Sequence, residues 1–295
     1  MTWSENVLGG IGLPRFLLTD NNYCSNRYFD EDTTGYAQSL GGIFSRVNTN
    51  AKAIGEYMGE ITYANDYEYV DYTYNYGASI TDKNFVAMVR IQSDSNFDIA
   101  FYGDSEFGKV NIDATPLHAI NVVIYAKATG QAGNNIRLRI YGTQNAAQSA
   151  LLYFDDLFFS EALDNMDMTQ PTESGIVFEK ITSGKNEMWN GAVQEFSQRW
   201  KPNYVAMWDY LEPQYEAYRQ RIAVAQNIIV MPHLDVNWGM MGIWDIDFER
   251  RYWQKRFLGH KGKMVIKGIN LITGFPVLQD TGEVLYIAED EFIIT

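Results

Sequence analysis

Leu151-Leu152-Tyr153-Phe154-Asp155-Asp156-Leu157-Phe158-Phe159 sets two adjacent carboxylates inside a run of aromatic and aliphatic residues. A run this short and this rich in β-favouring side chains reads as a strand. It closes a long series of similar runs. Upstream lie Phe16-Leu17-Leu18-Thr19, Phe85 to Ile91, Phe97 to Phe101, Ala119 to Tyr125 and Ile136 to Tyr141. The last of these alternates apolar and basic residues at period two, the pattern of a strand with one wet face. Gly103, Gly108, Gly130, Gly133 and Gly142 punctuate the series at the spacing of an antiparallel sandwich or jelly roll. Residues 1–162 are therefore expected to form a β-sandwich.

Beyond that strand the composition changes. Residues 163–175 are polar and broken by Pro171 and Gly175, which predicts a linker. Residues 176–295 form the expected second domain, and 295 residues exceed what one core comfortably serves. Strands are predicted at Gly175–Ile181, Ala192–Phe196, Ile228–Met231, Gly242–Phe248 and Lys263–Ile269. Between them Trp208, Leu211, Tyr215, Tyr218, Ile222 and Ala225 advance in steps of three or four across Tyr204 to Asn227, which predicts one helix, regular from about 212 onward because of Pro213. The expected fold class is mainly β: an N-terminal jelly-roll sandwich followed by an α+β domain with one main helix.

Charge and composition narrow the function classes. The net charge of −14 disfavours duplex nucleic acid as the partner of the whole surface. Residues 1–165 carry 10 Lys+Arg against 20 Asp+Glu. By contrast Arg250, Arg251, Lys255, Arg256, Lys261, Lys263 and Lys267 cluster with no acid among them. That block reads as a solvated strand-and-turn face, or as a subunit interface or pore-lining patch, with Arg250, Arg251, Lys255 and Arg256 as its assembly residues. No apolar run reaches about 18 residues, so membrane insertion is not expected. The first residues lack a basic stretch followed by an apolar one, so a leader peptide is not signalled. A lone Cys24 excludes an intrachain disulfide framework.

The aromatic-Asp-Asp-aliphatic strand resembles the closing strand of carbohydrate-binding-module jelly rolls. Leu17-Leu18-Thr19-Asp20-Asn21-Asn22-Tyr23-Cys24 resembles the entry stretch of the same families, whose following carboxylate helps hold a structural calcium. Here Cys24 stands at that place, and a thiol suits a hard cation poorly. No cofactor is therefore expected, and a structural calcium would have to use Asp155 or Asp156 with Asp20 or Asp30. The resemblance also implies a sugar platform. Seven tyrosines lie between 57 and 76, interleaved with Asp66, Glu68 and Asp71. Their rings offer flat apolar faces while the carboxylates accept hydroxyl hydrogen bonds. Tyr67, Tyr69, Tyr72 and Tyr74 are the candidate glycan-binding residues; a packing face or protein interface is the competing reading, since Tyr67/Tyr69 and Tyr72/Tyr74/Tyr76 also alternate as strand positions do.

The order strand pair, helix, strand ending in Pro232-His233-Leu234-Asp235, then Trp244-Asp245-Ile246-Asp247-Phe248-Glu249, resembles the fold of bacteriophage tail-tube, distal-tail and baseplate ring proteins. That likeness implies a virion structural protein, not an enzyme, made in the host cytoplasm. Its partners would be other virion proteins, its own copies in a ring and a cell-surface glycan, with nucleic acid only as packaged genome near a channel. The alternative is a carbohydrate-active enzyme or a secreted glycan-binding protein. His233-x-Asp235 supplies at most two metal ligands, and Asp245 with Asp247 share a strand face as glycosidase carboxylates can. Phosphate-loop, nucleophile-elbow and zinc motifs are missing from the sequence.

Overall fold

The aspartate-bearing run belongs to an 18-residue strand, Ala150–Asp167. The computed structural model describes residues 14–29, 32–39, 43–48, 57–63, 68–115, 119–142, 150–187, 193–211, 220–221, 227–232, 237–253, 257–268, 274–278 and 284–288. In chain order its strands are β1 (Arg15–Thr19), β2 (Tyr36–Gln38), β3 (Ile43–Val47), β4 (Met58–Tyr63), β5 (Tyr69–Asn75), β6 (Asn84–Ser93), β7 (Phe97–Tyr102), β8 (Glu106–Ile112) and β9 (Ile120–Lys127). There follow β10 (Asn135–Gly142), β11 (Ala150–Asp167), β12 (Glu173–Glu187), β13 (Val193–Leu211), β14 (Asn227–Met231), β15 (Met240–Trp253), β16 (Phe257–Gly268), β17 (Gly274–Leu278) and β18 (Val284–Ala288). A five-stranded sheet runs β2-β5-β10-β7-β8. A larger one runs β12-β13-β16-β15-β14-β1-β11-β4-β3, with β6 joining β11 to β9. The chain is thus mainly β, built of antiparallel sheets, with a jelly-roll sandwich in its N-terminal half.

The sandwich core is made by alternation. Phe85, Ala87, Val89 and Ile91 of β6 meet Phe97, Ile99 and Phe101 of β7 and Ile136, Leu138 and Ile140 of β10. Each fully buried side chain of this size contributes about 1.5–3 kcal/mol. On β11, Leu152 and Phe154 point into this core, and so do Leu157 and Phe159. That change of parity needs one extra residue. The register against β6 jumps between Asp155 and Phe158, and Asp156 takes φ 51° there, so a β-bulge swaps the faces of the strand.

Phe158 and Ala162 consequently enter a second core with Leu17, Val86, Met88, Val123, Ile229, Met231 and Met241. This core lies on the opposite face of the large sheet and is enclosed by strands. β1 pairs with β11 on one edge and with β14 on the other, so it carries the sheet from the first half of the chain into the second. Past β14, Trp238 bridges Val122 and the Val123 N–H donates to Asn237 O at 3.0 Å, which ties the turn before β15 onto β9. Gly239 permits the approach: a Cβ there would sit 2.7 Å from both Val123 Cγ2 and Val230 O.

Two sequence expectations meet the structure differently. Tyr204–Leu211 is strand, paired with β16, where a helical face was expected. Tyr204, Ala206 and Trp208 are all buried at the strand period of two, and the step of three from Trp208 to Leu211 falls where the register against β16 shifts. Gln220 and Arg221 are helical, and the remainder of 212–226 lies outside the described residues. The stretch 163–175, expected as a linker, is largely strand: β11 extends through Asp167 and β12 starts at Glu173. Met166 and Met168 are buried, and the Trp208 indole N–H donates to Thr169 O at 2.8 Å.

Candidate functional site

Inward parity on the five-stranded sheet fixes what its other face displays. Because Val70, Tyr72, Ile99, Phe101, Ile136, Leu138 and Ile140 fill the core, their neighbours face outward in rows across the strands. The middle row reads Ala37, Asp71, Arg139, Ala100, Lys109. On one side lies Tyr69, Tyr141, Asp98, Asn111, and on the other Thr73, Arg137, Tyr102, Glu106. Between the flanking rings lies a depression of about 430 Å³, lined by Tyr69, Tyr102, Glu106, Lys109, Arg139 and Tyr141.

Polar groups in the depression hold one another. Arg139 donates from Nε and Nη2 to the two Asp71 oxygens at 2.7 and 2.8 Å, the bidentate geometry that fixes a guanidinium most firmly. Its Cζ stands 3.5 Å from the Tyr69 ring centroid and 4.3 Å from that of Tyr102, so both rings flank it. Lys109 Nζ lies 2.6 Å from Asp98, which also accepts from Asn111. The Tyr102 and Tyr141 hydroxyls donate to Glu106 Oε2 at 2.8 and 3.2 Å.

These contacts hold the charge states. Burial works against the charge of Arg139 and Lys109, yet the hydrogen bonds and charges of Asp71 and Asp98 outweigh it and raise both cations' pKa. Burial lifts the Tyr102 phenol, and Glu106 adds to that. Tyr141 rises for the same first reason, against the pull of Lys109. Arg139, Lys109 and the two phenols are thus held as donors beside carboxylates that accept from them, an arrangement suited to recognising hydroxyl groups.

Of the tyrosines expected at a glycan platform, the structure brings Tyr69 to this depression. Tyr72 lies in the core, accepting from the Ser25 N–H at 3.2 Å and donating to Tyr23 O at 3.1 Å. Tyr74 stacks on Tyr23 with centroids 4.2 Å apart. Tyr67 lies outside the described residues. Tyr102, Tyr141, Arg139, Lys109 and Glu106 were not among the expected residues. The signal that could have found them is the wet face of Ile136-Arg137-Leu138-Arg139-Ile140-Tyr141, whose outward positions are two arginines and a tyrosine.

The expected metal ligands are arranged otherwise. Asp156 is buried at the bulge and forms an ion pair with Arg27, so a side-chain cation balances it. Asp155 lies across from Arg90 in the β11–β6 register, and both are buried. Asp20 lies beyond β1, where its N–H donates to Glu161 O. Among the described residues no three His, Cys, Asp or Glu converge as a metal site. In the basic block, Arg250 stands opposite His260 and Arg251 opposite Gly259, while Lys255 and Arg256 lie outside the described residues. Asp245 and Asp247 face Val265 and Lys263 in the same ladder; His233 and Asp235 are outside the described residues.

No known family matches the chain, and no curated protein does. Among solved structures the chain is similar to a family 61 carbohydrate-binding module in complex with β-1,4-galactotriose, at 17% identity over 48% of this chain and 99% of that one, with TM-score 0.35. It is similar to a xylan-binding domain from Paenibacillus barcinonensis, at 10% identity over 49% and 97%, with TM-score 0.39. It is also similar to the enzymatically active domain of tailspike protein 4 of bacteriophage CBA120, at 9% identity over 48% and 21%, with TM-score 0.38.

Proposed function

We propose that this chain is a glycan-binding structural protein, which grips a carbohydrate in the depression of the five-stranded sheet and has no catalytic step of its own. The observation that carries the reading is the outward face itself, where three tyrosines, three cations and three carboxylates converge in pre-ordered geometry around one open cleft. Amphipathic rings beside fixed hydrogen-bonding groups are what a sugar's apolar faces and hydroxyl rim require. The second half supports display. β1 is shared between the two halves, so the sandwich is mounted on the long strands β12, β13, β15 and β16 by a continuous sheet. Such a mount suits a subunit of a larger particle, and we assign the chain to a bacteriophage virion, with the second half contacting neighbouring virion proteins or further copies of itself.

The test is calorimetric titration of the whole chain with β-1,4-galactotriose and with xylan, alongside Tyr102→Ala. Saturable binding of either sugar, weakened about 2- to 10-fold by loss of one ring contact, supports the reading. No binding across a broad panel of neutral and charged glycans overturns it.

A further inference from the structure

The Tyr69 and Tyr102 rings do not offer each other's facing sides to a ligand. Arg139 already lies between them, 3.5 Å from one centroid and 4.3 Å from the other, and its side chain is only 15% exposed. Asp71, at 7% exposure, holds two of its nitrogens and so fixes the guanidinium from beneath. Arg137 adds a second cation 3.9 Å from the same carboxylate and hydrogen-bonds Gly103 O at 3.0 Å. Moving Arg139 aside would break a bidentate pair and two ring contacts together and leave a buried carboxylate with only the 3.9 Å contact to Arg137, so the spacer stays in place when a ligand arrives.

We infer that Arg139 is the specificity-determining residue of the cleft, and that it selects uncharged glycan chains read through their hydroxyls over anionic ones. The inference rests on the glycan-binding reading above. With the slot between the rings filled, a sugar meets ring edges, phenol oxygens and the outer edge of the guanidinium, which favours hydroxyl recognition over sandwiching. Local charge decides the rest. Arg137, Arg139 and Lys109 are balanced in number by Asp71, Asp98 and Glu106 on this face: both arginines lie beside Asp71, Lys109 pairs with Asp98, and Glu106 accepts from two phenols. Among the described residues of this face cations do not outnumber carboxylates, so no net positive charge attracts a uronate, and the chain's net charge of −14 repels polyanions at long range. The row through Ala37, Arg139 and Lys109 crosses all five strands, about 19 Å at the usual strand spacing, which is room for several sugar units.

The experiment titrates the full-length parent, Arg139→Lys and Arg139→Ala with a panel of neutral oligosaccharides that includes β-1,4-galactotriose and xylohexaose, and with hexagalacturonate at low salt. The parent should bind a neutral member at least about tenfold more tightly than the uronate. Arg139→Lys, which keeps the charge and loses the planar fork, should weaken that binding about 10- to 100-fold while its melting temperature stays near the parent's. Guanidinium ion at millimolar concentration should restore part of the affinity of Arg139→Ala and leave that of Arg139→Lys unchanged. Equal or tighter binding of the uronate by the parent overturns the selectivity. Unchanged neutral-sugar affinity in both variants removes the role of Arg139 and leaves the glycan reading standing. Failure of the parent to bind any glycan removes both.

Discussion

The two sheets of the sandwich share one core and differ in what lies on their outer sides. The large sheet is covered: β1, β14 and the turn at Trp238 close over β6, β9 and β11, and a second apolar core fills the space. The five-stranded sheet is open, and paired charges and phenols occupy its outer face. β6 accordingly reads Phe-Val-Ala-Met-Val with every one of those residues buried, while β10 alternates buried and half-exposed residues from Ile136 to Ile140. A continuous apolar run means cover on both faces, and alternation means water on one. The difference separates the face that the second half of the chain covers from the face left to solvent.

The largest effect expected from breaking this contrast is at Phe158. Phe158→Ala empties the covered side and should lower unfolding free energy by about 3–5 kcal/mol in denaturant melts. A loss below about 1 kcal/mol would mean that the covering strands stay closed without that core.

Arg27→Ala comes next, with a pH signature. Burial raises the Asp156 carboxyl pKa, against the opposing pulls of Arg27 and Arg90. A folded pKa above the unfolded one makes the group most favourable below the unfolded value, near 3.9, and that contribution is lost as pH rises through the folded value. Removing Arg27 takes away the largest opposing cause, so the deficit of the variant should widen from about pH 4 to pH 7. At neutral pH it should reach about 2–4 kcal/mol, short of a fully buried pair because Arg27 is 21% exposed. A deficit that shrinks with rising pH would contradict the assigned ion pair.

On the open sheet, Tyr102→Ala should cost about 1 kcal/mol of stability or less, because its ring is partly solvated and packs mainly against cations. A cost like that of Phe158→Ala would place Tyr102 in a hidden interface. Smallest of all is Asp164→Ala, which removes an ion pair to Arg221 whose side chains are 27% and 55% exposed. It should change stability by no more than about 0.5 kcal/mol, and that small change should vanish in high salt.

How much was legible follows from what each signal measures. Local alternation located the strands of the sandwich and of the second half, since a strand's own residues record which faces are wet. It misread Trp208 to Leu211, because a step of three reads as a helix turn, and only pairing with β16, whose register shifts at that place, shows it to be strand. It read 163–167 as linker because the buried contacts of Met166 and the partner strand β1 lie some 150 residues away along the chain. The cleft shows the same limit. Tyr69, Arg139 and Tyr102 are far apart in sequence, and nothing local shows that three strands bring them side by side.

The sequence by itself determined that the chain is mainly β, that its first half forms a sandwich closed by the aspartate-bearing strand, and that β10 keeps a wet face. Those are properties of periodicity, carried by neighbouring residues. Tertiary structure alone decided which tyrosines face out, that Arg27 balances Asp156, that β1 carries the sheet into the second half, and that Arg139 fills the slot between two rings. Each of these depends on strand register, and the placing of Asp156 also on the parity switch in β11, which residues distant along the chain set through backbone pairing.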